Sequence, residues 1–526
     1  MPIPQLRQLN TSPAAYCDAP DIWTQVFENP HRSFDEDKVV LVQSETSETV
    51  TYSQVRDGSR AFGAALVKKF GIKQDDVVAV LSPNHTDAII VAFGIAWTGA
   101  LMNLLSPVAT KEALVYHLKD SSTKVLVVHA YFEGLATTLA DEAGVGRENI
   151  FILGGESKSF PSWKDFSKGV GSVPKPLISS RDNVAMLNYT SGTTSAPKGV
   201  MTTHANIMFL VSQLGAIDGP QVKLNGSLLL VVPWSHYYGF LVLTVYSFHL
   251  GIKTVLLQKP DFITILHSIA DYKVTNAPLV PALIAGLLHP AARSIDFSAL
   301  TDIFVTAANL KMPIRTAVEA QLGLKIRSGY GMTEGVFIYS SSIDYETMDT
   351  SGLLIPGLTA KIVLETGEEA RAPGQVGEFW IKGPAVFKGY FNRPDINEKV
   401  FTKDGFFKTG DLTSVDVNGA VSVHGRRIEA IYREGNWVIP QEVEEVIDTH
   451  PSMKESVMVP VVVDGEKLPK AFVVVNEGIE QTAELLEEIL MFVNAKLSAI
   501  QQLHAIAYIE TVPKSLAGKI HRTRLV

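Results

Sequence analysis

Between about Thr49 and Leu322 the chain alternates short β-branched runs with segments of helical texture, and this constrains its fold more than any other feature. Residues 77–81, 124–129, 184–189, 227–232, 254–257 and 302–306 are apolar pieces of strand length. Such near-continuous hydrophobicity marks strands buried on both faces, as in parallel sheets covered by helices. Helices are expected near residues 261–270 and 313–322. Two uncharged stretches, 88–109 and 227–252, reach membrane-spanning length, but Gly, Asn, Ser and Pro interrupt them. They read as buried helix and strand pairs, so no integral membrane segment is expected.

After Gly352 the texture changes to short β-rich pieces with frequent turns, at 359–364, 377–381 and 420–423, which suits a small barrel or sheet. From about Arg426 a compact α+β unit follows, with helices at 440–449 and 482–497 and strands at 456–463, 471–475 and 505–509. The boundary is expected between Val423 and Arg427, dividing the chain into residues 1–424 and 425–526. At 526 residues, roughly three to four structural units are anticipated.

Net charge is −9, which argues against a general nucleic-acid footprint. The single cysteine, Cys17, cannot form an intramolecular disulfide and fits a reducing compartment. Residues 1–20 lack the basic and apolar regions of a secretory signal, and Arg524-Leu525-Val526 is not the Ser-Lys-Leu peroxisomal address. A cytoplasmic protein, monomeric or homodimeric, is expected.

The strongest local motif is Tyr189-Thr190-Ser191-Gly192-Thr193-Thr194-Ser195-Ala196-Pro197-Lys198-Gly199, directly after an apolar strand. Consecutive hydroxyls, permissive glycines and a lysine suit a polyphosphate, at a spacing that is not the Walker pattern. A second cluster, Gly329-Tyr330-Gly331-Met332-Thr333-Glu334, offers an aromatic face for a purine, a hydroxyl for a phosphate oxygen and a carboxylate for Mg2+. In Lys408-Thr409-Gly410-Asp411 a carboxylate beside a turn glycine can accept ribose hydroxyls, and Pro513-Lys514-Ser515-Leu516-Ala517-Gly518-Lys519 places a lysine near the chain end.

These four motifs, in this order and at these separations, resemble the adenylate-forming superfamily of acyl-CoA synthetases, adenylation domains and luciferase. Leu105-Ser106-Pro107 and Tyr116-His117-Leu118-Lys119-Asp120-Ser121 make the likeness to 4-coumarate-CoA ligase-like enzymes closest. The resemblance implies an α/β fold: a large N-terminal domain of two α/β layers plus a small β-barrel, followed by a mobile α+β C-terminal lid. It implies that ATP activates an apolar or aromatic carboxylic acid to an acyl-adenylate, that pyrophosphate leaves, and that coenzyme A accepts the acyl group. By matching motifs, Ser191, Gly192, Thr193, Thr194 and Lys198 clasp phosphates, while Tyr330, Gly331, Asp411 and Arg426 hold adenosine. Thr333 and Glu334 serve phosphate and Mg2+, Lys519 is the catalytic lysine, and His236 lies beside the substrate carboxylate. The acyl pocket maps to Tyr238, Val242, Val305, Ala308, Gly331, Phe337 and Ile338, none of them charged, and Asn309 either bonds the substrate carboxylate or only backbone.

The chain departs from the family pattern at its hinge. Gly425, Ile428, Tyr432 and Trp437 stand where Asp, Lys, Lys and Gln are usual, while Arg426 and Gly435 are kept. The departures leave an amine open as an alternative acceptor, which would make the protein an amide-forming ligase. A noncatalytic nucleotide- or acid-binding homologue is the remaining alternative, against which Lys198, Glu334, Asp411 and Lys519 are retained together.

Overall fold

The computed structural model describes residues 19–30, 32, 34–190, 197–218, 226–305, 310–339, 350–514 and 520–526. Two large sheets organise the N-terminal part. One has seven strands in the order Gly389–Tyr390, Gly199–Thr203, Val184–Tyr189, Leu101–Leu105, Val77–Leu81, Val125–His129, Ile150–Leu153. The last five run parallel, and Gly199–Thr203 returns antiparallel to Val184–Tyr189. The other has nine strands, with a parallel centre of Ile326–Met332, Asp302–Val305, Asn276–Leu279, Ser227–Leu230, Lys253–Leu256 and Val39–Gln43. Its edges are antiparallel.

The largest apolar core draws on both sheets, including Val80 and Leu104 from one and Leu230 and Phe304 from the other. The helix Thr86–Thr98 is buried at every residue, which explains why residues 88–109 carry no charge. It is followed by Leu101–Leu105, and the second uncharged stretch becomes Ser227–Leu230 with the helical segments Tyr238–Val245 and Tyr246–Leu250. Among the described residues no helix is long and apolar enough to cross a membrane.

Helix Tyr52–Phe70 begins at a capping box, in which the Gln54 N–H donates to Thr51 Oγ1 and the Thr51 N–H to Gln54 Oε1. It crosses Thr86–Thr98 where Gly63 and Gly94 face each other. A Cβ on Gly94 would lie 2.8 Å from the Ser59 carbonyl oxygen, and one on Gly63 2.6 Å from the Gly94 oxygen. Side chains at either position would push the helices apart.

The β-rich piece, for which a small barrel is implied, is a four-stranded antiparallel sheet of Thr359–Val363, Gly377–Lys382, Phe407–Val415 and Val421–Arg426. Its last strand runs through the anticipated 424/425 division, so Arg426 is still part of the sheet, opposite Asp411. The chain leaves the sheet in the tight turn Arg427–Glu429.

The C-terminal unit packs helices Pro440–Ile447 and Ala483–Asn494 on a sheet of Met453–Val463, Glu466–Val475 and Ala505–Tyr508. It has its own core of Val443, Met458, Val473, Ile489 and neighbours. A hairpin, Ile431–Arg433 with Asn436–Val438, turns at Glu434 and Gly435 with φ of 51° and 79°, the positive pair that a type I′ turn requires. Lys311 reaches across to Asp448 at 2.6 Å.

Gly94→Ala is expected to cost about 1–3 kcal/mol through overpacking at the crossing. Gly134→Ala, in a helix with open space around its Cβ position, is expected to gain a few tenths to about 1 kcal/mol. Denaturant midpoints of the two variants should move in opposite directions.

Candidate active site

The phosphate-loop motif joins Val184–Tyr189 to Gly199–Thr203, and its base is closed by the Thr190 N–H donating to the Lys198 carbonyl at 3.0 Å. Ser191, Gly192, Thr193 and Thr194 lie outside the described residues, as do Ala308, Asn309 and Lys519. Tyr189 is held from below: its hydroxyl donates to Asp120 at 2.8 Å, its ring stacks on His117 at 4.2 Å, and Arg393 pairs with Asp120 at 2.6 Å. The Thr190 hydroxyl is buried without a hydrogen-bond partner among the described residues. A buried orphan hydroxyl at the root of this loop is what an anionic oxygen would satisfy.

Lys198, Tyr390 and Glu334 form the next part of the site. Lys198 Nζ lies 5.4 Å from the centre of the Tyr390 ring, and the Tyr390 hydroxyl donates to Glu334 Oε1 at 2.6 Å. Thr333 and Glu334 form the two-residue turn between Ile326–Met332 and Gly335–Tyr339. Gly335, at φ 150°, lets this turn approach the Ala385 carbonyl, which a Cβ would meet at 2.5 Å. Glu334 is only 5% exposed, and burial raises its carboxyl pKa, partly offset by the hydrogen bond from Tyr390. A cation would relieve that desolvated carboxylate, so the residue fits a Mg2+ ligand.

Tyr330, Asp411 and Arg426 meet across two sheets. The Tyr330 hydroxyl donates to Asp411 Oδ2, and Arg426 Nε lies 3.0 Å from Oδ1. Arg426 Nη1 also donates to the Thr409 carbonyl at 3.2 Å. Burial and the neighbouring carboxylate hold the Tyr330 phenol well above its ordinary range. An ionised carboxylate has about four acceptor sites, so Asp411 can hold both partners and still accept from a ribose.

His236 is placed by its segment. The Trp234 N–H donates to Asn84 Oδ1 at 2.7 Å, the Trp234 ring N–H to the Ser82 carbonyl at 2.9 Å, and Asn188 Nδ2 to the Ser235 carbonyl at 2.9 Å. Asn188 therefore ties the histidine segment to the phosphate-loop strand. Nδ1 of His236 accepts the Tyr238 N–H at 3.2 Å, which assigns the proton of the neutral ring to Nε2. Surrounding protein lowers the ring's pKa by desolvation, although the residue keeps a face open to solvent.

Beyond it, Tyr238–Val245 forms a π-helix, a geometry common at functional sites. Tyr238 and Val242 line a narrow cavity of about 40 Å³, together with Phe304 and Tyr246. Val305 faces the other side of its strand, packing with Leu279 and Val318, so the neighbouring Phe304 occupies the cavity wall. Phe337 and Ile338 are fully buried in the main core and Gly331 is exposed. Sequence motifs alone missed Tyr390, Phe304, Asn276, Asp302 and Arg327. Tyr390 is brought in by a two-residue strand pairing with Gly199–Thr203. Asp302 does leave a signal, as a charge at the head of an otherwise apolar strand.

Residues 27–391 match the AMP-binding enzyme family and residues 442–519 the AMP-binding enzyme C-terminal domain, so the chain belongs to that family of adenylate-forming enzymes. 4-Coumarate–CoA ligase 1 of Petroselinum crispum is 29% identical over 500 residues, covering 93% of this chain and 91% of that protein. ATP-bound MatB from Rhodopseudomonas palustris shares the fold at a TM-score of 0.86 and 23% identity, covering 96% of this chain and 98% of that one. The anthranilate CoA ligase AuaEII in complex with anthranoyl-AMP gives 0.83 at 23%, covering 96% of each.

Because the native pKa of Glu334 lies above the ordinary value of 4.5, its contribution to stability is largest at low pH and is lost as pH rises from about there through the raised value. Glu334→Gln should remove that loss. Urea unfolding across pH should show the wild type losing ground to the variant over this window, with no further change above it.

Proposed function

We propose that this protein activates an apolar or aromatic carboxylic acid with ATP and passes the acyl group to the thiol of coenzyme A. The observation that carries the reading is the convergence of Lys198, Glu334, Tyr330, Asp411 and Arg426, with the His236 segment tied to the phosphate-loop strand through Asn188. A carboxylate oxygen of the acid attacks the α-phosphorus, the α–β anhydride bond breaks, and pyrophosphate leaves. The thiolate then attacks the acyl carbon and AMP leaves. The phosphate loop and Lys198 take the triphosphate, and Asp411 takes the ribose. Glu334 would hold Mg2+, which when bound screens the triphosphate charge. Lys519 supplies a positive charge to the developing anion between acid and α-phosphate, a positional and electrostatic role.

An amine acceptor is the second reading, and the hinge hairpin favours it. Tyr432 and Trp437 are cross-strand partners with ring centres 5.0 Å apart, where the coumarate-ligase pattern has Lys and Gln. Two aromatic rings offer no ammonium or amide to position a substrate on the lid.

Acid-dependent pyrophosphate release from ATP, with and without coenzyme A, tests the function; a panel of acids giving no adenylate and no pyrophosphate would refute it. Lys519→Ala should slow single-turnover adenylate formation by about 100-fold or more while leaving ATP binding largely intact. Tyr432→Lys combined with Trp437→Gln should raise thioester yield per adenylate formed if the hairpin limits transfer. Unchanged yield, with an amide product in the presence of amines, favours the second reading.

A further inference from the structure

We propose that Arg393 is a positioning residue for ATP, holding Thr190 and Lys198 at the two ends of the phosphate loop through Asp120 and Tyr189. This role rests on the loop being the triphosphate site. Tyr189 and Gly199 are register partners at the end of the strand pair that carries the loop, and the residues next to them, Thr190 and Lys198, are joined by a backbone bond. One short segment grips both stems. The Phe391 N–H donates to the Gly199 carbonyl at 2.8 Å. Two residues further on, Arg393 Nη2 donates to Asp120 Oδ1 at 2.6 Å, and the other oxygen of Asp120 accepts from the Tyr189 hydroxyl at 2.8 Å. Gly199 lies between the two grips: a Cβ there would stand 3.2 Å from Tyr189 Cζ and 3.5 Å from Phe391 Cβ.

The segment is itself fixed. Asn397 Oδ1 accepts the Tyr390 N–H at 2.7 Å, and its Nδ2 donates to the Tyr390 carbonyl at 2.9 Å. Asn392 takes φ 52°, a left-handed conformation that asparagine adopts more readily than most residues, and Pro394 opens the helix Pro394–Val400. Arg393 therefore leaves a turn with little freedom and meets Asp120, 273 residues away in the chain.

Charge explains why an aspartate stands at position 120. It is the last residue of helix Lys111–Asp120, where a carboxylate opposes the helix dipole, so helix stability does not account for it. Its side chain is 11% exposed, and Arg393 neutralises it. Tyr116, one turn earlier on the same helix, accepts from the same Nη2 at 2.7 Å and fixes the guanidinium from a second side. Removing Arg393 leaves a partly buried carboxylate uncompensated beneath a loop built for anions, and takes from Tyr189 its fixed acceptor. AMP lacks the β- and γ-phosphates, and the residues assigned to adenosine, Tyr330, Asp411 and Arg426, stand on other strands. The effect should therefore fall on ATP and spare AMP.

The test is calorimetric binding of MgATP and of AMP to the full-length protein. Arg393→Ala and Tyr189→Phe should each weaken MgATP binding by about fivefold or more, with AMP binding within about twofold of the wild type. Because both cut one chain of contacts, the double variant should lose little more than the worse single variant. Equal weakening of ATP and AMP, unchanged MgATP binding in both single variants, or losses that multiply in the double variant overturns the assignment. Should Arg393→Ala fail to fold, Tyr189→Phe, which deletes one hydroxyl, decides: an ATP-selective loss upholds the role and unchanged MgATP binding refutes it. The expected pattern with no pyrophosphate from any acid overturns the adenylation reading and leaves the role of Arg393 standing, whereas a wild type that binds no MgATP overturns both.

Discussion

A charge taken out of water must be paired or neutralised, and the placement of buried charge organises this protein. Asp411 beside Arg426, Glu334 beside the Tyr390 hydroxyl, and Arg327 beside Asp302 are each nearly sealed from solvent on at least one side of the pair. Breaking such a pair by removing one member strands the other at a cost of several kcal/mol, so each fixes the relative position of the strands that carry it. Asp411 and Arg426 sit on the small antiparallel sheet and Tyr330 on the nine-stranded one. Glu334 stands at a turn of that nine-stranded sheet, while Tyr390 belongs to the seven-stranded sheet. The site is therefore where three sheets are held in register by polar contacts, and its geometry depends on all three.

Much of this was legible before the fold was known. The residues 184–187 and Val77–Leu81 are marked by unbroken runs of apolar side chains, because strands covered on both faces leave little room for polar ones. The two uncharged stretches are identified as core by their Gly, Asn and Pro content. The family itself is legible in four short motifs, since the chemistry of holding a nucleotide demands particular residue types at particular spacings.

What escaped has a common physical origin in contacts that sequence spacing does not encode. Tyr390 reaches Glu334 from 56 residues away through a strand of two residues, too short to carry a periodic signal. Phe304 rather than Val305 lines the cavity because a one-residue difference in a strand changes the face, and motif alignment does not specify the face. The cavity looks uncharged when only motif-matched positions are considered. Its polar residues, Asn276, Asp302 and Arg327, stand at or near the starts of three adjacent strands.

Ion pairs also fix the segment that follows residues 515–519. Lys514 and Ile520, on either side of residues 515–519, pair with each other, and Arg522 bonds both Glu429, in the turn that leaves the small sheet, and Glu444, on the first helix of the C-terminal unit. Glu429 is only three residues beyond Arg426, which is bound to Asp411 in the nucleotide site. A short path of ion pairs thus runs from the ribose-facing carboxylate through the hinge turn to the root of the lysine segment. Arg522 belongs to the C-terminal unit, so any rotation of that unit about residues 427–429 strains or breaks its bond to Glu429. The Arg522 contacts therefore tie the segment after residues 515–519 to the hinge turn as well as to the first helix of the C-terminal unit.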